Sequence, residues 1–238
     1  MTRLVGSVAG IRRYPVKSLV GEELTEAQVD ARGLVGDRLW SVRDQDGKFG
    51  SGKSTRRFRR MDGLLDLSAK YDGAEVPVVT FPDGASFRGD DPAVHAALST
   101  YVGREVTLAR EQEVSHFDEG PVHLVTTSAI ACVQRAHGRV VDPARLRPNL
   151  VVDTGEPGLI EDGWVAAEVA IGEELVLRIG YSMPRCVMVN LPQRGLPADR
   201  ELLGLITALN DGGLGVVADV VRPGRVSLGD PVRVAAAG

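Results

Sequence analysis

Of the two cysteines in the chain, Cys186 has the surroundings that chemistry needs. It lies in Tyr181-Ser182-Met183-Pro184-Arg185-Cys186-Val187-Met188-Val189. Pro184 stops regular pairing, Arg185 brings a positive charge and an apolar run follows, so the thiol stands at a strand entrance beside a cation. A neighbouring cation favours thiolate over thiol, and thiolate is the form that ligates metals or carries sulfur. The residues alone leave a second reading open, in which Cys186 is a small hydrophobe at the start of a strand. Cys132 differs: it shares an apolar helical face with Ala129, Val133 and Ala136, which predicts core packing.

Four polar clusters could receive an anion. Tyr14-Pro15-Val16-Lys17-Ser18 sets a cation and a hydroxyl after a proline turn, and Gly36-Asp37-Arg38 sets a guanidinium before a strand. Thr126-Thr127-Ser128 opens a helix, where unpaired N–H groups and the dipole suit negative charge. Arg145-Leu146-Arg147-Pro148-Asn149 offers guanidinium and amide groups in a stiff turn. Taken singly, each reads as a cap, a turn or a surface charge. His95, His116, His123 and His137 show no metal-ligand spacing with one another or with the cysteines, and read as packing or surface residues.

One motif matches a pattern and fails its context. Gly47-Lys48-Phe49-Gly50-Ser51-Gly52-Lys53-Ser54 fits the phosphate-loop spacing letter for letter. That loop works only with a helix starting at once, its N-terminus aimed at the phosphates. Here Thr55-Arg56-Arg57-Phe58-Arg59-Arg60 follows, without an apolar stripe, so a glycine-rich hairpin loop free of chemistry is expected. The Arg56–Arg60 run, with Phe58 as a ring for stacking, admits a nucleic-acid reading. A net charge of −4 favours a solvated basic loop instead.

The elements that must position these residues are mostly strands. Leu39, Trp40 and Val42 precede Asp46-Gly47, and the run from Val76 to Phe81 precedes Asp83-Gly84, two hairpin signals. Asp91-Pro92 with Val94, Ala97, Leu98 and Tyr101 predicts a helix stopped by Gly103. The run from Val122 to Thr126 predicts a strand feeding a second helix that ends at Gly138. A hairpin around Gly172 is expected within 169–179, and a third helix carries Leu202, Leu205, Ile206 and Leu209. A chain of 238 residues with 25% charged residues is long enough to hold a core without metal or disulfide staples. Met1–Gly10 has one charge and no long apolar run, so neither a leader nor a membrane span is expected, and reduced thiols place the chain in the cytoplasm.

Read in order, the clusters resemble the MOSC family, including the N-terminal β-barrel domain that precedes the MOSC domain in the mitochondrial amidoxime-reducing component and its bacterial relatives. The likeness rests on Tyr14–Ser18, Gly36-Asp37-Arg38-Leu39-Trp40, Arg147-Pro148-Asn149, Arg185-Cys186, Pro223-Gly224 and Gly229-Asp230-Pro231-Val232. It implies a mostly β fold with a few helices (α+β), an N-terminal β-barrel-like domain over 1–110 and a MOSC β-barrel domain over 111–238. It also implies a molybdenum cofactor (molybdopterin) held between them, with Cys186 as the metal ligand and the catalytic residue. By position, Lys17, Ser18, Arg38, Thr126, Thr127, Ser128, Arg147, Asn149 and Arg185 would hold the pterin and its phosphate. The activity implied is a molybdenum-dependent reduction of N-hydroxylated small molecules, fed by a separate electron-donor protein, with no nucleic-acid or membrane partner. Two alternatives are a persulfide carrier on Cys186 serving cofactor sulfuration and a non-enzymatic cofactor-binding domain. The chain departs from its amidoxime-reducing relatives at Asn190 and Pro192, where they carry Thr and Asp, and at Val217, where they carry Tyr.

Overall fold

The computed structural model describes residues 2–73 and 75–235. Its centre is a closed seven-stranded β-barrel. Around the ring, Leu150–Thr154 neighbours Val122–Thr126, then Gly213–Arg222, Leu175–Pro184, Glu168–Ile171, Pro231–Ala235 and Thr2–Arg13, which returns to Leu150–Thr154. All of these pairs are antiparallel except Val122–Thr126 with Leu150–Thr154. That parallel pair needs a crossover, and a helix between the two strands supplies it.

Alternation fills the barrel. Leu175, Leu177 and Ile179 point inward and are buried, while Val176 and Arg178 between them are not. Val8, Ile11, Leu124, Val152 and Val216 join them in one aliphatic core. The hairpin expected around Gly172 is present, with that glycine at φ 62° between Glu168–Ile171 and Leu175.

The helices are α1 (Ala93–Val102), α2 (Thr127–His137) and α3 (Leu202–Asn210). α1 starts where Asp91 accepts from Ala93 N at 2.9 Å and ends at Gly103 in the left-handed region. α2 and α3 pack on the barrel's outer surface through Ala129, Ile130, Val133, Leu202 and Ile206. The apolar face expected for α2 is corrected by about one position. Ile130 is buried, Ala136 is exposed, and Cys132 is only half-buried at the edge rather than in the core.

Glu26–Asp30 and Gly33–Leu34 join the C-terminal strand Gly224–Ser227 beside the barrel core, and seven other strands form an N-terminal unit of short pieces. Val106–Arg110, Trp40–Asp44, Phe49–Ser51 and Phe58–Arg60 make one sheet, and Ser68–Tyr71, Pro77–Thr80 and Ser86–Arg88 another. Both cover a core of Val16, Leu19, Val42, Leu64, Leu67, Val79 and Leu98. Both expected hairpins form, at Gly47 (φ 73°) and Gly84 (φ 92°). Sequence order and spatial unit part company over the first 34 residues: Glu22–Leu24 and Glu26–Asp30 pair with barrel-side strands, and Thr2–Arg13 is a barrel stave. It then runs straight into the buried segment Tyr14–Ser18, which bridges barrel and N-terminal unit.

Candidate functional site

Cys186 lies where the barrel meets the N-terminal unit. The long strand Leu175–Pro184 ends, Arg185 N donates to Gly212 O at 2.7 Å, and Cys186 opens a short 3-10 turn, Val187–Asn190. Arg185 lines the same cleft as Cys186, but its guanidinium is engaged by the protein. It donates to Leu146 O at 2.8 Å, to Leu214 O at 2.8 Å and to His123 Nε2 at 2.6 Å. Burial pulls its pKa down to about 9. With its donors spent on backbone and ring acceptors, Arg185 pins the cysteine turn rather than offering a free fork to an anion.

The half-buried thiol lines an open cleft that also takes in Lys17, Ser18, Arg38, Asp118, His123, Arg147, Asn149, Arg185 and Val217. The cations come from both units. Arg38 and Arg147 both adopt left-handed backbone, at φ 50° and 55°, and both guanidiniums lie over the Tyr14 ring, 4.7 and 4.3 Å from its centroid. Arg38 pairs with the buried Asp37 and donates to Arg147 O at 3.2 Å. Arg147 is different: its Nη2 is buried and meets no acceptor. Burial, with Arg38 adding repulsion, lowers its pKa to about 10. A buried donor without a partner is costly and marks a place where an anion would be welcome.

Lys17 is almost fully buried, contacts Asp118 and lies 4.7 Å from the Phe58 centroid. Desolvation lowers its pKa to about 8 against the pull of Asp118. Ser18, at φ 66°, donates to Gly50 O at 2.9 Å. Asn149 lines the cleft but serves as a strut, accepting from His123 N at 3.0 Å and donating to Arg12 O at 3.3 Å.

Two histidines hold the two left-handed arginines. Arg43 Nη2 sits 2.8 Å from His116 Nε2, and a guanidinium only donates, so the ring proton is on Nδ1, 3.1 Å from Arg38 O. By the same logic His123 accepts from Arg185 at Nε2 and donates from Nδ1 to Arg147 O at 3.3 Å. Both rings are kept neutral. Burial and then Arg43 push His116 down to about 4, and burial and then Arg185 push His123 well below its usual value.

The helix start at Thr126-Thr127-Ser128 does not reach the cleft. Thr126 Oγ1 accepts from Ala129 N at 3.0 Å and donates to Glu161 Oε2 at 2.6 Å, while Thr126 N reaches Glu161 Oε1 at 3.3 Å. Thr127 donates to Asp153 at 2.8 Å, and Ser128 bonds the Thr154 hydroxyl at 2.7 Å. The protein's own carboxylates occupy the place an anion would take.

The loop expected to be free of chemistry is the main surprise. It is followed by the strand Phe58–Arg60 and not by a helix, so no phosphate loop forms. Yet Lys53 Nζ donates to Cys186 Sγ at 3.5 Å. Arg59 pairs with Asp44 and Asp46, Arg60 with Asp62, and Phe58 is buried, so no ring is offered for stacking bases. Elsewhere, His137 Nε2 bonds Asp199 at 2.7 Å with Glu201 beside it.

A model of the MOSC domain matches residues 111–233, and one of the MOSC N-terminal beta barrel domain matches residues 5–114. The chain belongs to the MOSC family. Among its MOSC relatives, mitochondrial amidoxime reducing component 2 of Homo sapiens is 24% identical over 96% of this chain and 83% of its own length. Molybdenum cofactor sulfurase of Arabidopsis thaliana is 23% identical over 75% of this chain but only 28% of its own. The solved YUAD protein of Bacillus subtilis shares the fold with a TM-score of 0.55 at 17% identity, over 98% of this chain and 96% of that one. Among the described residues, no helix is long and apolar enough to cross a membrane.

Proposed function

We propose that the cleft binds the molybdenum cofactor, with the Cys186 thiolate as its protein ligand, and that the protein reduces N-hydroxylated small molecules. The observation that carries this reading is the meeting, in one cleft, of a free thiol and an arginine whose buried Nη2 lacks an acceptor. A pterin phosphate carries a charge of roughly −1.5 to −2 and needs several cationic donors. Arg147, Arg38 and Lys17 supply them. A thiolate is a soft ligand suited to a transition metal. When bound, the cofactor supplies two-electron oxygen transfer from N–O compounds. The chain's own part is to hold the ligand sulfur on a turn fixed by Arg185 and to keep His116 and His123 neutral behind the arginines. Electrons would come from a separate donor protein. We place the protein in the cytoplasm, where both free cysteines stay reduced, with no nucleic-acid or membrane partner.

Metal and pterin analysis of protein co-expressed with cofactor biosynthesis tests the reading. Stoichiometric molybdenum and pterin, with turnover of an amidoxime, is the expected result. Cyanide-labile sulfur without molybdenum would make the protein a persulfide carrier on Cys186. Absence of both would leave a non-enzymatic domain.

A further inference from the structure

Lys53 belongs to the N-terminal unit and Cys186 to the barrel, and the contact between them is built from both sides. Gly52 lies so close to the turn after Cys186 that a Cβ there would overlap Leu191 Cδ1 and Met188 Sδ. Ser51 Oγ reaches Met188 Sδ at 3.7 Å, and the strands Phe49–Ser51 and Phe58–Arg60 anchor the loop at both ends. The Lys53 nitrogen also rests 5.3 Å from the Phe58 centroid. A primary amine is thus held 3.5 Å from a sulfur that lines an open cleft.

We propose that Lys53 and Cys186 form a reversible covalent N–S link when the cofactor-free thiol meets a peroxide. In the first step the sulfur attacks one peroxide oxygen and the O–O bond breaks. The sulfur is oxidised by two electrons to S–OH, and the peroxide is reduced to water. In the second step the free amine of Lys53 attacks that sulfur. The N–S bond forms, the S–O bond breaks, and the departing hydroxide leaves as water with the amine proton. Sulfenic acids close on backbone nitrogen in this way. An amine is the stronger nucleophile, because an amide lone pair is delocalised into its carbonyl. Fixed proximity makes the closure effectively unimolecular, ahead of further oxidation by a second peroxide. Two equivalents of a thiol reductant return amine and thiol and become a disulfide.

The link would fasten the N-terminal unit to the barrel across the cleft and occupy the sulfur that the proposed function assigns to the metal. It would protect an empty site from irreversible oxidation. Only this consequence rests on the proposed function, since the link itself needs no metal.

The test is peptide mapping by mass spectrometry of the cofactor-free full chain after brief exposure to hydrogen peroxide. The expected product joins the Lys53 and Cys186 peptides, is lighter than the reduced pair by two hydrogen atoms, resists trypsin after Lys53 and reverts with dithiothreitol. Lys53→Arg should abolish the link and let Cys186 run on to sulfinic and sulfonic acids, while Cys132→Ser should keep it. Wild type whose Cys186 reaches sulfinic acid as fast as in Lys53→Arg, with no linked peptide, overturns the proposal. So does a link that forms through Cys132 instead. Protein that links but never retains molybdenum would sink the proposed function and leave this inference standing.

Discussion

The cleft at Cys186 and the start of α2 look alike in sequence and are opposites in structure. Both gather hydroxyls or cations where an anion would fit. At α2 the chain provides the anion itself: the Glu161 carboxylate, buried at 1% exposure, takes the Thr126 hydroxyl and N–H. In the cleft, Asp37 and Asp118 answer Arg38 and Lys17, but Arg147 keeps a buried donor unmatched. What separates a binding site from a helix cap is therefore whether the fold has already satisfied its donors.

The largest test of this contrast is Cys186→Ser. Serine preserves the packing volume but does not ionise as a thiol does. Bound molybdenum and amidoxime turnover should fall to background while the melting temperature hardly moves. Turnover at the parental rate would remove Cys186 from the site. Arg147→Ala should come next, weakening pterin retention by roughly 10- to 100-fold for the loss of one charged donor worth ~1.5–3 kcal/mol. Equilibrium dialysis of the loaded protein reads it.

The two regions should also respond to pH with opposite signs. His116 has a folded pKa of about 4 against an ordinary 6.5. The native state thus binds fewer protons there, and stability present above pH 6.5 is lost as the pH falls towards 4. His116→Asn should lessen that acid-side loss in urea titrations. Burial raises the Glu161 pKa above its usual 4.5, so its contribution is fully present below that value and declines as the pH rises through the folded one. In the difference between wild type and Glu161→Gln, stability should therefore fall with rising pH. The smallest effect is expected for Thr127→Val: about 1 kcal/mol or less of stability and unchanged pterin retention. If that variant sheds pterin, the contrast between the two regions breaks.

What could be read from the sequence was local. The Asp-Gly turns are decided by neighbouring residues and came out as expected, whereas Cys186, read as standing at a strand entrance, lies past the exit of Leu175–Pro184 and opens a 3-10 turn, with Pro184 still paired to Gly213. Of the residues the family's ordered clusters assigned to the cofactor, Lys17, Ser18, Arg38, Arg147, Asn149, Arg185 and Cys186 share one cleft, and Thr126, Thr127 and Ser128 lie outside it. Lys53 was hidden because its partner lies 133 residues away and its own motif pointed to phosphate. His116 and His123 were hidden because their roles come from arginines and carbonyls brought in by folding, with no spacing to betray them. Glu161 sits beside Asp162 in a stretch that reads as surface, and only the barrel's closure buries it.

The stave Thr2–Arg13 sets a timetable for folding. It is flanked by Leu150–Thr154 on one side and Pro231–Ala235 on the other, with Thr2 opposite Ala235. The ring therefore cannot shut during synthesis until residues as far along as Ala235 have emerged from the ribosome. Contacts between such distant segments carry a large loop-closure cost and slow the search for the native state. Through that interval Thr2–Arg13 has open edges that other chains could pair with. Slow, single-phase refolding that accelerates little when Leu150–Thr154 alone is preorganised would fit a ring whose last seam is made at the end.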